Sequence, residues 1–217
     1  IQQAGGIDYM LLGIGHACNI GFNGPGSSIN TATRLVFMDN DSRKEASRTF
    51  NFIENIPSSV ITMGMSTILK SKHVILMAWG EDKASTIRSA VEGKMSDSMP
   101  ATFLQNQENA KVVIDLSAAY NLTRISHPWL VTNCDWDNKL IRRAIVWLCQ
   151  TTKKPILKLT NKDYSEHGLG ELLGLFGSAY NVNIKIFNDL QHTITGWPGG
   201  KPNADDSFRP ERANPYP

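Results

Sequence analysis

A chain of 217 residues with 41% hydrophobic and 19% charged side chains is composed like a folded globular protein, with room for one large domain or two small ones. Its net charge of +2 comes without a long basic block, which gives neither a nucleic acid nor a membrane surface an electrostatic foothold. Cys18, Cys134 and Cys149 are widely spaced and odd in number, which argues against a disulfide framework and predicts a reducing, cytoplasmic setting. There the sequons at Asn40 and Asn121 are expected to carry no glycan. No apolar run is long enough to span a bilayer, and no leader peptide is expected at the start.

The first element is an apolar run, Ile7–Leu12, that reads as a buried strand. It opens into a loop holding Gly13, Gly15, Gly21, Gly24, Pro25 and Gly26, and such a loop is where an open α/β sheet places its ligand. Arg34–Met38 follows as a strand and Ser42–Phe50 as a helix, with Asp41 or Ser42 as its cap. Val60–Thr62 is a short strand, and Gly64–Leu69 opens a helix. His73–Ala78 is a strand, followed by a turn at Gly80, a helix over Ala84–Val91 and a strand over Lys111–Leu116. Further on, Leu140, Ile141, Ala144, Ile145 and Leu148 give Asn138–Gln150 a helical period. Pro155–Leu159 and Asn183–Phe187 read as strands with a helix, Glu166–Tyr180, between them. This alternation predicts an α/β fold of three layers: a mainly parallel, Rossmann-like sheet with helices on both faces. The stretch from Gly196 to Pro217, rich in Pro, Gly and Asp, reads as a linker.

Gly13-Ile-Gly15 lacks the third glycine and the acidic partner of a dinucleotide fingerprint, so no nucleotide cofactor is expected. The string Gly21-Phe-Asn-Gly-Pro-Gly-Ser-Ser28 suits either an anion-binding concavity of backbone N–H groups or a structural turn. Arg48, on a predicted helix, and Lys83, at a predicted helix start, are the kind of groups a phosphate needs. His16, His73, His127, His167 and His192 have no metal-ligand spacing, so no metal is expected. Met63, Met65 and Met77 read as core.

With Gly13–Ser28 in view, the chain resembles glucosamine-6-phosphate deaminase, whose string runs Gly-Ile-Gly-x-Asp/Thr-Gly-His-Ile-Gly/Ala-Phe-Asn-Glu-Pro-Gly-Ser. Thr62-Met-Gly-Met-Ser-Thr-Ile-Leu69, Gly80-Glu-Asp-Lys-Ala84, Val91-Glu-Gly93 and Phe103-Leu-Gln105 extend the resemblance in order. From His127-Pro-Trp-Leu-Val-Thr-Asn133 onward, the chain looks like a branch with a C-terminal extension that often precedes a deacetylase-like (LmbE-type) domain. The resemblance implies three segments: 1–125 as the later part of the deaminase-like α/β domain, 126–190 as an α/β extension and 191–217 as a linker. It also implies a homo-oligomer, and a phosphogluconolactonase-like hydrolase fits the Gly21–Ser28 string less well.

By position, Arg48 and Lys83 match the family's phosphate-gripping residues, and Arg34 an arginine of a regulatory sugar-phosphate site in some members. The catalytic positions are substituted: the ring-opening histidine corresponds to Asn19, its supporting glutamate to Gly24, and the preceding Asp/Thr-Gly pair to Ala17 and Cys18. A further family histidine corresponds to Gln107. The isomerising aspartate and first phosphate loop are expected before Ile1. Because Asn, Gly and Ala move no proton near neutral pH, three readings stand: a deaminase-family enzyme with damaged catalysis, a sugar-phosphate binding module, or a structural domain serving a deacetylase-like partner. His16 is the nearest alternative proton carrier.

Overall fold

The computed structural model describes residues 1–47, 50 and 55–195. The chain divides into two compact units, Ile1–Ser126 and His127–Pro217. In the first unit the order is β1 (Tyr9–Gly13), β2 (Arg34–Phe37), α1 (Asn40–Ala46), β3 (Ser59–Thr62), α2 (Met65–Leu69) and β4 (His73–Ala78). It continues with α3 (Ala84–Glu92), β5 (Ala110–Ile114), α4 (Leu116–Ala119) and α5 (Thr123–Ser126).

Three strands form a parallel sheet in the order β1-β4-β5, with Leu12 beside Leu76 and Leu76 beside Val112. Alternation along β1 and β4 buries Met10, Leu12, Val74, Leu76 and Ala78 on one face. Met65 and Ile68 of α2, Ile87 and Ala90 of α3, then Leu104 and Ala118, pack into the same core. Each fully buried aliphatic side chain there contributes roughly 1.5–3 kcal/mol. The architecture is thus α/β, with a parallel sheet flanked by helices. The opposite register positions, Tyr9, Leu11 and Val113, are exposed. β2 and β3 form a separate antiparallel ribbon in which Arg34 lies opposite Thr62.

The start of α1 differs from expectation. The helix begins earlier, at Asn40, and Asp39 Oδ1 accepts a 2.7 Å hydrogen bond from the Ser42 N–H, so the carboxylate before the helix holds its first turn.

In the second unit, the described elements are helical: α6 (Asn138–Thr152), α7 (Asn161–Glu166), α8 (Gly170–Phe176) and α9 (Ala179–Thr195), with short 3-10 turns. The strand expected over Pro155–Leu159 is instead a 3-10 turn at Ile156–Lys158, and the one expected over Asn183–Phe187 lies inside α9. Ile184 and Ile186 alternate like a strand, but Ala179, Val182, Ile186 and Leu190 make a longer stripe of helical period that packs into the core. The expected single helix Glu166–Tyr180 is broken at Gly168 (φ 75°) and Gly177 (φ 80°), left-handed positions that a helix cannot continue through. The α/β extension is therefore corrected to a helical one across the described residues. Asp137 caps α6 through Leu140 N–H, and Thr160 and Asp163 form a capping box at α7. α9 runs to Thr195, over the first residues of the expected linker, and the rest of that segment, 196–217, lies outside the described residues. Among the described residues no helix is long and apolar enough to cross a membrane.

Candidate functional site

The loop leaving the C-terminal end of β1 is shaped by two tight turns. Gly15 N–H bonds to Asn19 O at 3.0 Å, and Cys18 N–H to Gly15 O at 3.0 Å. A Cβ at Gly15 would lie 2.1 Å from Asn19 Oδ1, so glycine lets the Asn19 carboxamide lie over this turn. Cys18 takes a left-handed backbone (φ 58°) at the position where the deaminase string has glycine, which accounts for the family's residue there. Its thiol is buried against α3, and burial pushes it up to about 11. It stays protonated at neutral pH and is a poor nucleophile.

The Gly21–Ser28 segment is held by a residue that sequence reasoning passed over. Asn23, fully buried, donates from Nδ2 to Ile20 O (3.0 Å), Gly21 O (3.2 Å) and Met63 O (2.8 Å). Its Oδ1 accepts from Arg34 Nη1 at 2.8 Å, while Arg34 Nη2 donates to Ser27 Oγ at 2.8 Å. The Thr62 hydroxyl bonds to Gly21 O, and Gly26 N–H to Asp97 O at 2.8 Å. Arg34 thus ties β2 to the loop. The only signal for Asn23 in the sequence is its place inside the motif.

Among the described residues, two cavities open on this loop. One, about 350 Å³, is lined by Asn19, Gly24, Ser27, Arg34, Asp39 and Ser42 among others. The second, about 320 Å³, is lined by Gly13, Gly15, Asn19, Phe22 and Ser42 among others, and none of its described lining side chains ionises. Asn19 and Gly24 therefore meet at one cavity. Ala17 and Lys83 line neither cavity; Lys83 instead sits with His16 and Asp82 beyond the start of α3. Arg48 lies outside the described residues. Gln107 is structural, since its Nε2 donates to Leu69 O (3.0 Å) and Ser71 O (2.7 Å). Among the described residues no group of three or more His, Cys, Asp or Glu is placed to hold a metal ion.

The family profile for glucosamine-6-phosphate isomerases/6-phosphogluconolactonase matches residues 2–114. A glucosamine-6-phosphate deaminase-like protein of Bacteroides thetaiotaomicron is 69% identical over 217 residues, all of this chain and 33% of its own length. The glucosamine-6-phosphate deaminase of Corynebacterium urealyticum is 43% identical over 122 residues, 56% of this chain and 48% of its own. A solved structure of a monomeric glucosamine-6-phosphate deaminase superposes with a TM-score of 0.54 at 38% identity, over 55% of this chain and 50% of that one. The chain therefore spans a third to a half of the length of these relatives. A match over more than half of the chain, together with the shared α/β fold, places it in the glucosamine-6-phosphate isomerase/6-phosphogluconolactonase family.

Proposed function

We propose that this chain carries a glucosamine-6-phosphate site of the deaminase type that binds the sugar phosphate without turning it over. The observation behind this reading is that Asn19 and Gly24 face one loop cavity at the positions where the family has its proton-transfer groups. Opening the sugar ring moves a proton from O1 to the ring oxygen, and isomerisation moves another between C2 and C1. Each transfer needs a group that exchanges protons near neutral pH, and losing one typically costs on the order of 10²–10⁴-fold in rate. Asn19 cannot do this, and Gly24 supplies no side chain. The described ionisable groups lining that cavity are otherwise engaged: Arg34 with Asn23 and Ser27, and Asp39 with the first turn of α1.

In this reading Lys83 and Arg48 hold the phosphate. The whole protein is a homo-oligomer that carries a deacetylase-like domain after the 196–217 segment and works in the cytoplasm. The alternative is a purely structural domain.

Calorimetric titration of the intact protein with glucosamine 6-phosphate, with glucosamine as the phosphate-free control, separates these readings. Binding of the phosphorylated sugar alone, with no ammonia release above background, is expected. Ammonia release at about 1 per second or faster, the ordinary range for enzymes, overturns the non-catalytic reading. Absence of binding to the folded protein leaves the structural one.

A further inference from the structure

We propose that His16 is a second phosphate-contacting side chain, paired with Lys83, and that Asp82 competes with the phosphate for His16. The inference rests on the sugar-phosphate reading above. His16 Nε2 lies 3.5 Å from Lys83 Nζ and 3.9 Å from Asp82 Oδ2.

The backbone holds these groups in place from both sides. On the loop, the His16 carbonyl accepts from Thr86 Oγ1 of α3 at 3.3 Å, which ties the loop to the helix. On the helix side, Gly80 takes a φ of 91°, and its N–H donates to Asp115 Oδ1 at 3.2 Å. A Cβ at Gly80 would lie 2.8 Å from Asp82 Oδ1, so the missing side chain leaves Asp82 room to fold back. The result joins the ends of β1, β4 and β5 through one polar cluster that opens to solvent.

An ammonium and an imidazole this close can both donate to one oxyanion. Such charge-assisted bonds are the stronger kind, and a phosphate ester offers several oxygens to accept them. Asp82 sets a carboxylate 3.9 Å from His16 Nε2, so a phosphate bound there competes with it for the imidazole. His16 stands at a variable position of the deaminase string, and its imidazole turns toward Asp82 and Lys83. That placement suits a phosphate contact better than a substitute for the proton carrier missing at Asn19.

Titrations of the intact protein with glucosamine 6-phosphate and with inorganic phosphate test this, using wild type, His16→Asn, Asp82→Asn and Lys83→Ala. His16→Asn is expected to weaken both ligands about tenfold, as losing one charge-assisted bond between half-exposed groups would. Asp82→Asn is expected to tighten both about threefold, a gain that misfolding cannot mimic. Unchanged affinities in His16→Asn and Asp82→Asn, with a loss in Lys83→Ala, overturn the inference and keep the sugar-phosphate reading. An effect of His16→Asn on the sugar phosphate but not on inorganic phosphate also overturns it, by moving the contact to the sugar. No binding by the wild type removes both.

Discussion

Truncating Asn23 to alanine tests whether the glycine-rich loop owes its shape to one buried amide. At zero exposure its two Nδ2 hydrogens are shared among three main-chain carbonyls, and its Oδ1 accepts from Arg34. The carbonyls are not equally dependent on it. Ile20 O keeps a bond from the Asn23 backbone N–H at 2.9 Å. Gly21 O and Met63 O share the single proton of the Thr62 hydroxyl, so one of them is left short. Arg34 loses its Asn23 acceptor and keeps Ser27. Two polar groups left unpaired cost roughly 1–3 kcal/mol each, and a small cavity adds to that. The expected loss is about 3 kcal/mol. Urea denaturation of wild type and variant measures it, and titration with glucosamine 6-phosphate should show binding lost as the loop relaxes. Asn23→Asp keeps the shape and the Arg34 acceptor but turns an oxygen toward three carbonyls, so it should be destabilising as well. A loss under about 1 kcal/mol in the alanine variant would refute the assignment, because water or loop movement would then be satisfying the orphaned groups.

The other expectations concern backbone space and charge. Gly64→Ala places a Cβ 2.1 Å from Thr31 O and 2.3 Å from Ala32 O, both backbone, so the strand-to-helix corner must move; a loss of about 3 kcal/mol or more is expected by thermal melting. Gly174→Ala, inside α8 with nothing within 4 Å, should instead raise stability by about 0.5–1 kcal/mol; a decrease would show that the open space is filled in solution. The hydrogen bond from Lys154 at 2.7 Å, aided by the Thr160 N–H, holds the Asp163 carboxyl down at about 2. A lowered carboxyl pKa contributes stability above its unfolded value, and that contribution fades as pH falls from about 4 toward 2. Since Lys154 is partly exposed, screening leaves about 1–2 kcal/mol of it. Asp163→Asn should therefore be less stable than wild type at pH 7 and equal to it near pH 2, whereas a gap that persists in acid would contradict the ion-pair account.

Where a pattern is local, the sequence already carries it. Met10, Leu12, Val74, Leu76 and Ala78 alternate with a strand's period, and the loop after β1 is announced by its glycines. The loss of acid–base groups at Asn19 and Gly24 is likewise a matter of residue identity, since no packing gives a carboxamide or a hydrogen atom an ionisation near pH 7. Other features depend on groups far apart in the chain. The five residues Asn183–Phe187 carry a strand's alternation as well as part of a helix's stripe, and the choice fell to the longer stripe of α9 against its core. Arg34 looked like a ligand group, yet it spends two nitrogens on Asn23 and Ser27, which only the return of β2 to the loop could reveal. The left-handed turn at Cys18 and the approach of His16 to Lys83 belong to the same class. Short-range periodicity is set by each element's own geometry, whereas the partner of a polar side chain is set by the segment that folding brings beside it.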